Sequence, residues 1–263
     1  MTCNSVIHKD SQIGKNVKIG SFCTIGANVS IDDNCIIHSN VVINGNVKIK
    51  NNVEIFPFVS IGSIPQDLKY RGEKTKIFID ENCKIREFVT INLGTKGGGG
   101  ITKIGKNCLL MVGTHIAHDC IVGNNIIFAN HSTLAGHVII ENNVVVGALS
   151  AIHQFSRIGE GAMIGGMSGV TADVVPFSTV MGNRAKLIGL NLVGLKRNNF
   201  DKNEITELRK VFKYIFFSKN RTLNDRINEI KKKKLNLYNC LLYPYDAADE
   251  GLGVDLGGRR IIK

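Results

Sequence analysis

Residues 13–31 read Ile-Gly-Lys-Asn-Val-Lys-Ile-Gly-Ser-Phe-Cys-Thr-Ile-Gly-Ala-Asn-Val-Ser-Ile. Isoleucine returns at every sixth position, and two residues before each return stands a Val or a Cys. An amphipathic helix asks for an apolar residue roughly every three to four positions, and a half-buried strand every second one. A strict period of six fits a solenoid of short strands that turn at regular corners, each placing one large aliphatic group inside. Positions i−2 and i of a strand share a face, so both stripes point inward. The residue after the aliphatic is often Gly or Ala, as at Gly14, Gly26, Gly62, Gly123, Ala135 and Gly165, which suits a tight corner.

The stripe extends well beyond this window. It runs without a gap from Ile7 to Ile61, resumes at Ile79, Ile85 and Ile91, and continues from Ile104 to Val170. Two interruptions, residues 63–76 and 93–103, break it, and the loops of a solenoid gather on its functional face. The second contains Gly97-Gly98-Gly99-Gly100. No Gly-Lys-Ser/Thr follows and no helix starts there, so the segment reads as a flexible excursion and not as a phosphate loop.

The six-residue period ends near Pro176. From Lys186 the pattern reads as helix, with Leu187, Leu190 and Leu195 on one stripe. Asp201-Lys-Asn-Glu204 has the form of a capping box, opening a helix with Ile205, Leu208, Phe212, Ile215 and Phe216 on one face. Another helix is expected after Thr222, with Leu223, Ile227 and Ile230 inside, and the tail from Tyr243 has no period. The expected division is a β-solenoid over residues 1–184 and an α-helical segment over 185–263.

Composition narrows the function. No run of apolar residues is long enough to span a membrane, and the first ten residues lack the form of a signal peptide. Five of the seven cysteines sit in the inward stripe, where Val would serve equally, and no CxxC occurs. They read as packing thiols in a reducing cytoplasm, not as a disulfide or zinc framework. Of the formal charge of +11, residues 184–263 contribute 18 Lys and Arg against 9 Asp and Glu. Such a basic region draws an acidic partner, although the Lys231–Lys234 run taken alone reads as a solvated helix end.

In a three-sided coil, residues eighteen apart stand one above another, roughly 4.8 Å apart. His118, Gly136 and Gln154 form such a column, flanked by His115, His137 and His153. Solvated corner histidines, a three-imidazole metal site and a general base are the three readings of this cluster. The surroundings favour the base, since no carboxylate-rich shell accompanies the histidines.

The motifs Ile64-Pro65-Gln66-Asp67-Leu68-Lys69-Tyr70, Ile85-Arg86-Glu87-Phe88-Val89-Thr90-Ile91, His115-Ile116-Ala117-His118-Asp119-Cys120, Leu134-Ala135-Gly136-His137, Ile152-His153-Gln154-Phe155, Gly182-Asn183-Arg184-Ala185 and Gly189 to Arg197 follow one another along the chain. This series resembles the UDP-N-acetylglucosamine O-acyltransferases, enzymes of the first step of lipid A synthesis, over roughly residues 7–215. The repeat alone is shared by many acyl- and acetyltransferases; the ordered motifs carry the resemblance. It implies a cytoplasmic homotrimer of left-handed parallel β-helices with C-terminal helices, a hand opposite to the usual crossover rule. It also implies transfer of a (R)-3-hydroxyacyl group from acyl carrier protein to the sugar 3-hydroxyl of UDP-N-acetylglucosamine. No metal, no nucleic acid and no stable membrane insertion is expected, and no cofactor beyond the phosphopantetheine that carries the donor.

By the same resemblance, His118 is the base, Asp119 orients it, and the Gly136 N–H holds the thioester oxyanion. Gln66, Asp67, Lys69 and His115 belong to the sugar site, with His137 and His153 nearby. Gln154, Asn191 and Arg197 meet the nucleotide, where the Arg fork suits phosphate oxygens. Met163 and Gly166 line the acyl tunnel, and acyl carrier protein, being acidic, fits the basic C-terminal region. There are departures: Asn92-Leu93-Gly94-Thr95 stands where the family has His-Arg-Gly-Thr, Arg184 where a His often caps the tunnel, and Asn198 where a second Arg often follows. These leave the acyl length open, and an acceptor with a 3-amino group as well. The rival functions are the related UDP-3-O-acylglucosamine N-acyltransferase, which normally has an extra N-terminal domain, and a non-catalytic prism.

Overall fold

The computed structural model describes residues 4–218 and 221–232. Nearly every hexapeptide becomes a short strand and a tight turn, and the strands sort into three sheets of nine, eight and ten members among the described residues. Strands one coil apart pair in parallel: Ile25 faces Ile43 on the first sheet, Ile31 faces Ile49 on the second, and Ile37 faces Ile55 on the third. The chain is a left-handed parallel β-helix with α-helices at its C-terminal end. From Ile25 to Ile164 the inward aliphatics are no more than 1% exposed. Each such burial contributes roughly 1.5–3 kcal/mol. Cys23, Cys35, Cys83, Cys108 and Cys120 are buried free thiols within this stack, and burial pushes the Cys120 thiol up to about 12. Cys3 and Cys240 lie outside the described residues.

Most corners are closed by a residue in the left-handed region. At the corner before the third sheet it is almost always asparagine: Asn16, Asn34, Asn52, Asn82, Asn107, Asn125 and Asn143, with φ from +57° to +60°. Asparagine tolerates this conformation better than other side chains with a Cβ. Its amides then bond from coil to coil, Asn52 to Asn82, Asn82 to Asn107, Asn107 to Asn125 and Asn125 to Asn143, at 3.0–3.2 Å. The corner before the first sheet carries exposed Phe22, Phe58, Phe88, Leu149 and Met167 instead.

Both interruptions leave the remaining corner, between the first and second sheets, and neither disturbs the stack. Ile49 pairs with Ile79 and Ile79 with Ile104 as if nothing had been inserted. The glycine-rich excursion is not the flexible segment the sequence led us to expect. Residues Lys96–Gly98 form a 3-10 turn in which the Thr95 carbonyl accepts from the N–H groups of Gly98 and Gly100.

The C-terminal end departs from expectation once more. Lys186–Leu190 is a strand, antiparallel to Ser178–Met181, where the leucine spacing reads as helix. The exposed edge of the third sheet supplies backbone partners that outweigh a weak local helix preference diluted by Gly189. Helix begins with α1 (Leu192–Arg197) and continues in α2 (Lys202–Phe217) and α3 (Leu223–Lys232). The capping box at Asp201 and Glu204 forms as read. Leu208, Phe212, Ile215, Ile227 and Ile230 make a second small core that joins the coil through Phe177. The side chains of Lys231–Lys234 and the tail from Tyr243 lie outside the described residues. Among the described residues no helix is long and apolar enough to cross a membrane.

Candidate active site

The strand His115–Ile116 is held in register between Thr90–Ile91 and Thr133–Leu134. Ile116 faces the core, so His115 faces outward, and its Nδ1 meets the Thr90 hydroxyl at 2.7 Å. The chain then turns through His118 and Asp119, the latter at φ +60°. This turn buries the Asp119 side chain completely and sets its Oδ2 2.8 Å from His118 Nδ1. An ionised carboxylate only accepts, so Nδ1 carries the proton and Nε2 is left with its lone pair.

The next coil builds the other wall. A Cβ on Gly136 would lie 2.5 Å from His118 Cε1 and 2.6 Å from Nε2, so only glycine lets the imidazole occupy this place. His137, at φ +63°, donates its backbone N–H to the His118 carbonyl. Its ring meets the His118 ring edge-on at 5.0 Å and stacks on Phe155 at 4.5 Å. Burial, then the neighbouring His118, holds the His115 imidazole below its ordinary pKa. Burial also lowers His137, against the opposing pull of Asp119 and Asp67. Both rings therefore stay neutral further into acid than a solvated histidine.

The ligand atoms of His118, Asp119 and His137 lie within 4.8 Å of one another, close enough to hold a metal ion. Two of them are already hydrogen-bonded to each other, and the carboxylate has further donors in Thr95. The arrangement is that of an oriented base: a buried carboxylate, an imidazole held by it, and an Nε2 that lies against Gly136 and has no hydrogen-bond partner among the described residues.

Of the residues named from sequence, His115, His118, Asp119, Gly136 and His137 come together at this corner. Asp67 is half-buried on the first excursion, and its charge reaches His137. Gln66 and Lys69 are exposed on the same loop, and His153 and Gln154 are exposed one coil above His137. Met163 and Gly166 belong to the third sheet and to the turn after it, away from the histidines. The nearest atom to a Cβ on Gly166 would be the Ala148 carbonyl at 3.4 Å. Asn191 caps α1 by accepting from Gly194 N–H and donates to the Gly161 carbonyl, so its carboxamide is engaged at the asparagine corner. Arg197 is exposed at the end of α1. One chain alone does not unite these four with the histidines.

Sequence reasoning missed Phe155, Thr95 and Thr102. Phe155 continues the column of Asp119 and His137. Thr102 takes an inward position that often holds Val or Cys and accepts the Asp119 backbone N–H at 2.9 Å. Thr95 is visible only once the excursion folds back.

Known proteins share these features. The family described as Udp N-acetylglucosamine O-acyltransferase, Domain 2, matches residues 173–241, and bacterial transferase hexapeptide repeats match residues 4–32, 10–45 and 101–136. The chain is 54% identical over 155 residues to the acyl-[acyl-carrier-protein]–UDP-N-acetylglucosamine O-acyltransferase of Paracoccus denitrificans, an alignment spanning 59% of each. With the enzyme of that name from Nautilia profundicola it shares 50% identity over 184 residues, 70% of this chain and 71% of the relative. Solved structures agree. The UDP-N-acetylglucosamine acyltransferase of Campylobacter jejuni superposes with a TM-score of 0.86 at 39% identity, covering 91% of this chain and 93% of that one. The Acinetobacter baumannii homologue gives 0.84 at 42%, over 94% and 92%. The chain is thus an acyltransferase and belongs to the family of UDP-N-acetylglucosamine O-acyltransferases.

Proposed function

We propose that this chain transfers a (R)-3-hydroxyacyl group from acyl carrier protein to the glucosamine 3-hydroxyl of UDP-N-acetylglucosamine, the first step of lipid A biosynthesis. It does so in the cytoplasm as a homotrimer, with the β-helix as the catalytic body and the helices α1–α3 at its C-terminal end. The observation that carries this reading is the Asp119–His118 pair, whose Nε2 lies over Gly136.

His118 Nε2 takes the proton of the sugar hydroxyl as its oxygen attacks the thioester carbon. Asp119 holds the ring and stabilises the imidazolium that forms. The carbonyl oxygen gains negative charge and is met by the Gly136 N–H, which makes no hydrogen bond among the described residues. The C–S bond then breaks, and the phosphopantetheine thiolate recovers the proton from His118. Gln66, Asp67, Lys69, His115, His137 and His153 surround the sugar. Gln154, Asn191 and Arg197 serve the nucleotide, and Met163 with Gly166 the acyl chain. Assembly into a trimer brings Met163, Gly166, Asn191 and Arg197 from a neighbouring copy to the histidines. Acyl carrier protein is captured by the helical end, where Lys196, Lys202, Arg209 and Lys213 are exposed.

H118A is expected to lose roughly 10²–10⁴-fold in turnover while still binding the UDP-sugar. Retention of more than about a tenth of the wild-type rate would rule His118 out as the base.

One observation favours a 3-amino acceptor as the second reading. The positions of the family's imidazole and guanidinium are used here for packing: Leu93 is buried in the core, and Asn92 donates to the carbonyls of Ser63 and Ile64. A side-by-side assay with UDP-N-acetylglucosamine and its 3-amino analogue decides, the larger kcat/KM identifying the acceptor.

A further inference from the structure

The Asp119 carboxylate has more holding it than its histidine. Oδ1 accepts the Thr95 backbone N–H at 2.8 Å, and Oδ2 accepts the Thr95 hydroxyl at 2.6 Å as well as His118 Nδ1 at 2.8 Å. Thr95 and Asp119 are both buried. Neither is near the other in sequence: the glycine-rich excursion folds down over the carboxylate to make the contact. Its glycines are what permit the approach. A Cβ on Gly98 would lie 2.1 Å from Asp119 Cγ, and one on Gly94 would lie 2.9 Å from Oδ1 and 2.5 Å from the Ile101 nitrogen. Where the excursion rejoins the second sheet, Thr102 accepts the Asp119 backbone N–H. One inserted segment therefore grips this aspartate at its carboxylate and its backbone.

We propose that Thr95 is a positioning residue for the Asp119–His118 pair, and that the glycine-rich excursion serves to bring it there. The proposal rests on the reading of His118 as the base. Two donors from one residue fix the carboxylate plane, so that Oδ2 points at His118 Nδ1 and cannot rotate away. The hydroxyl also shares Oδ2 with the imidazole, which weakens that oxygen as an acceptor and limits how far it stabilises the imidazolium. Without the hydroxyl the carboxylate is less well fixed, and the acceptor left to His118 is the more basic one. Turnover falls, and the base is protonated at higher pH. Among the described residues, the other titratable groups acting on this pair are His115 on its strand, His137 on the next coil and the buried Cys120 thiol next to Asp119, while Asp67 on the first excursion acts on His137.

The test compares T95V, T95S and H118A with the intact enzyme, measuring kcat, the KM for the UDP-sugar and the pH dependence of kcat/KM. T95V keeps the backbone donor and the shape but loses the hydroxyl. It is expected to lower kcat on the order of tenfold, to leave the sugar KM nearly unchanged, and to shift the acid limb of kcat/KM to higher pH. T95S restores both. Should T95V not fold, T95C, a weaker donor, gives the same direction at smaller size. If H118A is inactive while T95V keeps the wild-type kcat and acid limb, the positioning role is overturned and the base stands. A loss in T95V with an unmoved acid limb and no rescue by serine would also overturn it, reducing Thr95 to packing. Activity retained in H118A removes the base itself, whatever Thr95 does.

Discussion

The asparagine corner and the histidine corner are built on one backbone and put to opposite uses. At the first, Asn107, Asn125 and Asn143 close successive coils and pass hydrogen bonds up the stack. At the second, the equivalent positions hold Asp119, His137 and Phe155, at φ +60°, +63° and +65°. For side chains with a Cβ that conformation costs roughly 1–2 kcal/mol, and asparagine is the one least penalised. The first corner satisfies its own polar groups and is finished. The second aims a carboxylate inward and a ring lone pair outward, and relies on an inserted loop to steady it. Here the residue types answer to the chemistry of the site and not to one another along the stack.

The most severe way to break this contrast is to make the second corner resemble the first. D119N keeps the left-handed turn and the shape, and should leave the denaturation midpoint near wild type. Its carboxamide disturbs the tautomer of His118, so kcat should fall roughly 10²–10⁴-fold in a steady-state assay. An active D119N would show that the two corners differ less than the geometry says. The reverse experiment is N125A. It removes amide bonds to both neighbours and places alanine at φ +58°, which should cost about 1–2 kcal/mol in urea unfolding with kcat per folded enzyme unchanged. N125G, free of the backbone penalty, should recover part of that loss.

Acid should separate the corners further. His115 and His137 have depressed pKa values in the fold, so the unfolded chain takes up their protons first, near the ordinary value of 6.5. Their contribution is complete above that pH and is lost as the pH falls through it towards the folded values. Thermal midpoints measured from pH 7.5 down to about 5 should decline, and H137N should decline less steeply, while N125A should only shift the whole curve. The smallest effect lies outside both corners. Reversing Lys202, Arg209 and Lys213 together should raise the KM for acylated carrier protein a few-fold, roughly two to five, in a salt-dependent way. The KM for the UDP-sugar should hardly move.

What could be read from the sequence was whatever repeats. Ile31, Ile49 and Ile79 announce the stack because each solves the same packing problem, and the capping residues Asp201 and Glu204 announce their helix because the signal is local. The His118 column was also legible, since eighteen residues convert directly into one coil. The edge strand Lys186–Leu190 was not, because its strand character comes from an unpaired neighbour and not from its own residues. Thr95 was hidden for a similar reason. Nothing in Gly-Thr-Lys-Gly-Gly states that the loop closes on an aspartate 24 residues away. The role of Asn191 as a cap on α1 was obscured by its place in a motif that points to the nucleotide.

Because the sheets resume in register after insertions of unequal length, the core does not set the length of a loop over the histidine corner. Doubling the length of a loop adds only about 0.6 kcal/mol of closure entropy. A single inward isoleucine contributes roughly 1.5–3 kcal/mol. The first excursion, which does not hold Asp119, can therefore change in length without renegotiating the core, so acceptor preference is free to drift while the coil beneath it and the grip on the aspartate stay the same.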